Sequence, residues 1–378
     1  MLNGHKQPGS EASSSATDRA DQRIPVTLLT GFLGSGKTTI LNHLVRQSEM
    51  ADALVIINEF GEVALDHLLV AHSTENLLME MSSGCLCCTI RGDLVKTLRD
   101  ITWRFSRGGQ RQFRRVVIET TGLADPAPII HTLVSDPQIS PKYRLDGVVT
   151  TIDQTAGART LDQHIEAVKQ AAVADILLLT KGDLAEESER SALAAWLERI
   201  NPRVARYVVS AGEIAPVKVL DLGVFSTQGK HADVERWLAD EAIESHDAHM
   251  HADHVHGAEH SHQHDVNRHN ARIQAFSFAF SEPISEASWT DWLEALKDLL
   301  GGNILRIKGI LNIEGRDRPT VIHGAQHTLH EPVNLPAWPS EDRHSRLVFI
   351  TQDLTRAAVE ATFEVFGQGI SSTGETVV

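Results

Sequence analysis

The sequence predicts an α/β fold with a mostly parallel sheet, followed by a smaller α+β domain. Three observations predict this organisation. Short apolar runs alternate with amphipathic stretches from Ile24 to about residue 222, a histidine-rich tract interrupts that pattern, and alternating strand patterns resume near Ala271. Strands that are apolar throughout are usually buried on both faces, as parallel strands covered by helices are. The chain has 378 residues, which suits two or three domains of roughly 150 residues each.

The elements of the first domain follow from these apolar runs. Six runs are predicted to be buried strands, at residues 24–30, 53–58, 115–121, 147–153, 175–180 and 206–211. Amphipathic stretches such as 37–47 and 188–200 lie between most of them and predict helices. Because strands and helices alternate, we expect a parallel sheet with helical connections.

The second domain follows a low-complexity tract. Nine of the 20 histidines lie between residues 246 and 269 among acidic residues, which is typical of a linker. Beyond it, strands are predicted at 273–280, 304–313, 320–330 and 346–351, and a helix at 286–300. The predicted boundaries are a tail over 1–23, a first domain over 24–222, a linker over 223–270, a second domain over 271–356 and a tail over 357–378.

Composition and charge exclude several classes of protein. The 35 Lys and Arg against 50 Asp and Glu give a net charge of −15, which opposes general binding to nucleic acid or anionic membranes. The three cysteines lie within four residues, so they predict a thiol site in a reducing compartment rather than a disulfide framework. No apolar run approaches a membrane span, and no signal peptide is evident. We therefore expect a cytoplasmic protein.

Residues 31–38 match the phosphate-binding pattern G-x-x-x-x-G-K-[ST] between a predicted strand and a predicted helix. Glycines let backbone N–H groups surround the phosphates, and the helix N-terminus adds partial positive charge. Lys37 is expected to reach the β- and γ-phosphates, and the Thr38 hydroxyl to bind Mg²⁺. The predicted nucleotide-binding residues here are Gly31, Gly34, Ser35, Gly36, Lys37, Thr38 and Thr39.

A second motif indicates which base is bound. Residues 180–183 read Thr-Lys-Gly-Asp and resemble the N/T-K-x-D element of P-loop GTPases. In that element the aspartate, here Asp183, accepts hydrogen bonds from the guanine N1–H and exocyclic amine, while the lysine stem, here Lys181, packs on the base. Thr180 stands where asparagine is commoner, and Ser210 and Ala211 resemble the loop that closes over guanine O6. These features favour GTP, with an ATPase or P-loop kinase as the alternative.

Two loops carry acidic residues suited to hydrolysis. Residues 119–122 read Glu-Thr-Thr-Gly where many P-loop GTPases have D-x-x-G, so Glu119 is predicted to support Mg²⁺ and the Gly122 N–H to contact the γ-phosphate. Glu59 and Glu62 follow the second strand and could contact Mg²⁺, a second metal or the attacking water; solvated loop acids are the alternative. The predicted catalytic residues are Lys37, Glu59, Glu119 and Gly122.

Cys85, Cys87 and Cys88 form a compact set of soft ligands. Tetrahedral Zn²⁺ takes four ligands, so the cysteines supply at most three, and the fourth could be Glu59, a histidine, water or a target protein. An incomplete coordination shell suits a metal ion that is transferred to another protein. Buried free cysteines and a redox site are the alternatives, and the absence of C-x-x-C disfavours the redox site.

The linker histidines are further candidate ligands for Zn²⁺, Ni²⁺ or Co²⁺. Their spacing does not form one helical stripe, which predicts a flexible loading or storage arm; a solvated linker without a metal role is the alternative. The residues are His246, His249, His251, His254, His256, His260, His262, His264 and His269.

In combination, the motifs GFLGSGKTT, NEFGE, GCLCC, ETTG and TKGD resemble those of CobW-type P-loop GTPases, which are relatives of the urease and hydrogenase nickel-insertion GTPases. In the second domain, RIKGIL, HGAQH and RLVFI carry the same resemblance. The resemblance implies GTP hydrolysis with Mg²⁺. It also implies that zinc, or alternatively cobalt, is held at the cysteine motif and transferred to a client metalloprotein under control of GTP; Ni²⁺ is a further alternative metal.

Several functions stay open at this point. A metal store or sensor with residual GTPase activity is one alternative, and cobalt supply for cobalamin synthesis or nitrile hydratase activation is another. The second domain is a candidate surface for client docking, or for homodimer formation that depends on metal or GTP.

Overall fold

The computed structural model describes residues 22–57, 78–80, 89–223, 272–326, 328–330 and 332–366. No helix in these ranges is both long and apolar enough to cross a membrane.

The first domain contains nine strands within these ranges. They are β1 (Ile24–Gly31), β2 (Ala53–Ile57), β3 (Leu78–Glu80), β4 (Ser106–Arg107), β5 (Gln110–Arg111), β6 (Arg115–Glu119), β7 (Tyr143–Asp153), β8 (Ile176–Thr180) and β9 (Ala205–Val209). Strands β4 and β5 form a small hairpin. The other seven form one sheet in the order β3-β2-β6-β1-β7-β8-β9, and every neighbouring pair is parallel.

Six helices accompany this sheet in the described part of the domain. They are α1 (Lys37–Leu44), α2 (Thr89–Arg104), α3 (Ala127–Ser135), α4 (Gly157–Gln163), α5 (Ile165–Ala172) and α6 (Glu187–Ile200). Successive residues of a strand point to opposite faces of the sheet, so an apolar strand needs cover on both sides. Leu28 accordingly packs in a core with Leu94 and Ile129, while Leu29 packs in another with Ile40 and Leu41. The predicted parallel α/β domain is confirmed.

In the described residues, the second domain is an antiparallel sheet with two helices. Its elements are β10 (Ile273–Phe280), α7 (Glu286–Leu300), β11 (Ile304–Leu311), β12 (Thr320–Ala325), β13 (Thr328–Leu329), β14 (Val333–Asn334), β15 (Ser345–Gln352) and α8 (Arg356–Phe366). The strand order is β10-β15-β11-β12-β13, and β14 also pairs with β12. Trp292 of α7 stacks on Phe363 of α8 with ring centroids 4.4 Å apart, which fixes both helices on one core. The predicted α+β class is confirmed.

Two sequence predictions for this domain were wrong. The C-terminal tail was predicted to begin at residue 357, yet α8 extends to Phe366 and buries Val359 and Phe363 in the core. The single strand predicted over 320–330 is a hairpin, because Gln326 adopts a left-handed φ of 50° that reverses the chain between β12 and β13.

The two domains meet through a buried ionic cluster. Arg306 of β11 donates to the Ala174 carbonyl at 2.8 Å and to the Asp175 carboxylate, and the Lys308 ammonium lies 3.1 Å from that carboxylate. Burial alone would raise the pKa of Asp175, but the charges of Arg306 and Lys308 hold it well below its ordinary value. The cluster therefore keeps an ionised carboxylate inside the interface.

A small cavity of about 20 Å³ adjoins this cluster, and His323 and His330 line it. Desolvation lowers the pKa of His330 to about 3 and holds the pKa of His323 well below its usual range. Both imidazoles are therefore neutral at physiological pH.

A second contact joins the hairpin of the C-terminal domain to the loop after Gly122. The Gln326 amide donates to both carboxylate oxygens of Asp125, at 3.3 and 3.1 Å, and Lys169 of α5 pairs with the same carboxylate at 2.9 Å. Ala325, beside Gln326, packs in the same core as Ile129 and Ile130 of α3.

Candidate nucleotide-binding site

The loop between β1 and α1 has the backbone expected of a phosphate cradle. Gly31, Gly34 and Gly36 adopt φ values of 142°, 71° and 95°, which side chains other than glycine rarely allow. A Cβ on Gly31 would lie 2.2 Å from the Thr151 hydroxyl and 2.5 Å from the Thr151 carbonyl. The loop therefore depends on glycine both for its conformation and for its close approach to β7.

Lys37, at the start of α1, lies inside this loop. Its ammonium donates to the Gly31 carbonyl at 2.9 Å and to the Phe32 carbonyl at 3.2 Å, and the residue is only 8% exposed. The Ser35 hydroxyl is 2.6 Å from the Thr151 hydroxyl of β7. The loop is thus held from both sides around one buried positive charge, which suits phosphate binding.

Glu119 lies at the end of β6, next to the loop. Its Oε1 accepts a hydrogen bond from the Thr38 hydroxyl at 3.0 Å, and the residue is 5% exposed. A hydroxyl and a carboxylate at this distance are oxygen donors of the kind that Mg²⁺ prefers. The predicted pair of magnesium residues is therefore brought together by β1 and β6, which are neighbours in the sheet.

The loop after Glu119 lies against the phosphate loop. A Cβ on Gly122 would be 2.6 Å from the Leu33 backbone nitrogen, so only glycine fits there. The buried Gln170 side chain donates to the Gly122 carbonyl at 3.2 Å and to the Ala124 carbonyl at 2.9 Å. Gln170 of α5 therefore holds the loop that carries Gly122, a contact that the sequence did not indicate.

The Thr-Lys-Gly-Asp motif is bonded to the phosphate loop. The Thr180 hydroxyl donates to the Ser35 carbonyl at 2.8 Å, so this threonine ties the motif to the loop despite standing where asparagine is commoner. The Lys181 ammonium lies 2.6 Å from Asp153 Oδ2, and Asp183 is exposed. Burial raises the pKa of Asp153, but hydrogen bonds from Lys181 and Thr155 outweigh it and lower that pKa.

The predicted loop over the base also packs on this site. Ser210 is exposed, Ala211 adopts a left-handed φ of 51° and Gly212 a φ of 83°. A Cβ on Gly212 would lie 2.8 Å from the Thr39 carbonyl of α1. The strand predicted over 206–211 therefore ends at Val209, because the chain turns there towards α1.

Sequence reasoning missed three residues of this site: Thr151, Asp153 and Gln170. The available signal was a polar residue in an otherwise apolar segment. Thr151 lies within the apolar strand β7, Asp153 ends that strand, and Gln170 lies on the buried face of α5.

The predicted metal residues other than Thr38 lie outside the described residues. These are Glu59, Cys85, Cys87, Cys88 and the nine linker histidines. Elsewhere, in the ranges that the structure covers, no group of three or more His, Cys, Asp or Glu side chains could hold a metal ion.

Comparison with known families gives two matches that divide the chain as the fold does. A model described as CobW/HypB/UreG, nucleotide-binding domain, matches residues 25–207. A model described as cobalamin synthesis protein cobW C-terminal domain matches residues 273–366.

Individual relatives match along most of their length. The protein named zinc chaperone YjiA from Escherichia coli (strain K12) is 34% identical over 341 residues, which is 90% of this chain and 98% of that protein. The protein named zinc chaperone CobW from Sinorhizobium sp. is 29% identical over 378 residues, with 91% and 98% covered. The solved structure of Zn(II)-bound YjiA GTPase from E. coli has a TM-score of 0.62 at 28% identity, with 91% of this chain and 99% of that chain covered.

Proposed function

Because this chain belongs to the CobW family of P-loop GTPases, we propose that it is a metallochaperone, in which GTP hydrolysis controls the transfer of a metal ion to a client protein. GTPase activity follows from the family itself. Zinc is the favoured metal, since relatives that align with about nine-tenths of the chain are named zinc chaperones.

The observation that carries the proposal is the register of three neighbouring strands. Ile57 at the end of β2 is in register with Glu80 of β3 on one side and with Glu119 of β6 on the other. The chain from β3 to α2 contains the three cysteines, and the chain after β2 contains Glu59. The connections that follow β2, β3 and β6 therefore start side by side at the carboxyl ends of these strands, where ligands of open parallel sheets bind.

The nucleotide-binding half of this proposal uses residues in the described ranges. Lys37 would bind the β- and γ-phosphates, and Thr38 with Glu119 would hold Mg²⁺, which would neutralise charge on the phosphates. The backbone of Gly122, which packs on Leu33, would respond to the γ-phosphate. Thr180, Lys181 and Asp183, with Ser210 and Ala211, would select guanine.

The metal half is proposed to be Cys85, Cys87 and Cys88, completed by Glu59, a histidine, water or the client. Bound GTP would order the connections that follow β2, β3 and β6, and hydrolysis would relax them and weaken metal binding. Linkage makes the effect reciprocal, so bound metal would change nucleotide affinity by the same factor.

We expect the Zn²⁺ affinities of the GDP form and of the form with a non-hydrolysable GTP analogue to differ by about 5- to 150-fold. The measurement is competition with a chromophoric chelator, with Co²⁺ and Ni²⁺ titrated in parallel to rank the metals. Equal Zn²⁺ affinities in the two forms would contradict the coupling.

The matched control is a variant in which all three cysteines are replaced by serine. It should lose the nucleotide-dependent site while it retains GTP binding, because the cysteines lie outside the phosphate loop. Zinc retained at full affinity by this variant would exclude the cysteines as the transfer site.

The histidine tract favours a second candidate function, metal storage or loading. Deleting residues 246–269 is expected to lower the number of weakly bound Zn²⁺ or Ni²⁺ ions while GTP hydrolysis stays unchanged, because the tract lies outside the phosphate-binding and base-binding motifs in the sequence. Equilibrium dialysis and phosphate release measure the two effects. A collapse of hydrolysis would place the tract within the GTPase machinery instead.

A further inference from the structure

We propose that Asp153 is a positioning residue for nucleotide binding, which acts by fixing the Lys181 side chain against the purine base. The inference rests on the proposed assignment of residues 180–183 to guanine binding, and it adds a residue outside that motif. Asp153 ends β7, whereas Lys181 follows β8.

The sheet register places the two residues side by side. Asp153 is the direct partner of Thr180 in the parallel pairing of β7 and β8, and the Gln154 N–H donates to the Thr180 carbonyl at 2.9 Å. The next residue after Thr180 is Lys181, so the end of β7 lies beside the lysine backbone. The pairing of β7 with β8 therefore positions the 2.6 Å contact between the Lys181 ammonium and Asp153 Oδ2.

The carboxylate is itself held in one orientation. Asp153 Oδ1 accepts hydrogen bonds from the Thr155 backbone nitrogen at 2.8 Å and from the Thr155 hydroxyl at 2.7 Å. Oδ2 is thereby directed to Lys181, and the Asp153 side chain is 16% exposed against 38% for Lys181. Isolated surface ion pairs contribute little because both partners are mobile; here one partner is fixed in advance.

The backbone of Lys181 also needs such support. Lys181 adopts a left-handed φ of 56°, which is unfavourable for a residue with a side chain. The Thr180 hydroxyl bond to Ser35 anchors the residue before it, and Asp153 anchors its ammonium. Together these contacts fix both ends of a flexible four-carbon stem, whose ordering would otherwise oppose nucleotide binding.

The Lys181 side chain, packed on the face of a purine, would not distinguish the polar groups on the edge of the base. Asp183 would form hydrogen bonds with those groups directly. Loss of Asp153 should therefore weaken binding of every purine nucleotide by the same factor. Loss of Asp183 should change the choice among purines. This difference separates a positioning residue from a base-reading residue.

The test measures the affinities of the full-length protein for GDP and for xanthosine diphosphate, by competition with a fluorescent guanine nucleotide. Asp153→Asn is expected to weaken both affinities by about tenfold, the usual effect of losing a charge-assisted hydrogen bond, with their ratio unchanged. Asp183→Asn is expected to favour the xanthine nucleotide, because its amide can donate to the 2-oxo group. Asp162→Asn on α4 is the charge-matched control and should leave both affinities unchanged.

A second variant, which leaves Asp153 unchanged, keeps the test decisive if Asp153→Asn disturbs folding. Lys181→Met removes the ammonium but keeps an unbranched stem, and it should weaken GDP and XDP binding by one common factor. Where Asp153→Asn folds, the double variant should bind no more weakly than Lys181→Met alone, because the two residues act through one contact. Additive losses, or an unchanged GDP affinity in Asp153→Asn, would overturn the inference. An unchanged GDP-to-XDP ratio in Asp183→Asn would overturn the guanine assignment itself.

Discussion

Replacing Glu119 by glutamine is expected to lower kcat for GTP hydrolysis by about a hundredfold or more. The amide oxygen of glutamine can still accept the Thr38 hydrogen bond, which is 3.0 Å long in the native protein. What is lost is the negative charge beside the proposed Mg²⁺ position, at a residue only 5% exposed. Because water screens little there, the charge interacts strongly with a divalent cation.

Phosphate release at saturating GTP, measured across a range of Mg²⁺ concentrations, tests this expectation. The apparent Mg²⁺ affinity should fall together with kcat, whereas GDP binding without Mg²⁺ should change little. Glu198→Gln is the matched control, since Glu198 is exposed and pairs only with Arg206 among the described contacts. A native kcat in the Glu119→Gln variant would show that this carboxylate does not contribute to hydrolysis.

The sequence predicted those parts of the fold whose signal is local. Apolar runs defined the parallel strands, and the glycine pattern of residues 31–38 defined the phosphate loop, because each is a property of neighbouring residues. The chain reversal at Gln326 was not predicted, because a residue other than glycine in the left-handed conformation gives little signal in the sequence. Helix α8 was missed because its burial depends on the stacking of Phe363 on Trp292, which is 71 positions earlier in the chain.

The same limit applies to the candidate site. Residues that contact phosphate or base belong to short motifs and could be predicted, whereas the residues that hold them come from other strands and helices. Asp153 is 28 positions from Lys181, and Gln170 is 48 positions from Gly122. Such pairs are set by the strand order, with β7 between β1 and β8, and a single sequence does not reveal that order.

The second large effect is expected at the Asp175 cluster, where the two domains are joined. Replacing Asp175 by asparagine is expected to lower the free energy of unfolding by about 3–5 kcal/mol, because removing one partner of a buried ion pair leaves the other charge uncompensated. Here Arg306 is 8% exposed, and the Lys308 ammonium lies 3.1 Å from the same carboxylate. Asparagine preserves an acceptor for the Val148 N–H, which Asp175 binds at 2.9 Å, so the loss is mainly electrostatic.

Urea unfolding followed by tryptophan fluorescence measures this loss at pH 7.5, because Trp196 reports on the first domain and Trp289 and Trp292 on the second. The pKa of Asp175 is lower in the folded chain than in the unfolded chain, so its contribution is complete above the unfolded pKa of about 4 and declines on further acidification. The difference between native protein and variant should therefore stay constant from pH 8 to pH 5. Asp221→Asn, which breaks an ion pair whose acid is 63% exposed, should cost less than about 1 kcal/mol. Equal losses in the two variants would show that the interdomain pair stabilises the protein no more than a surface pair does.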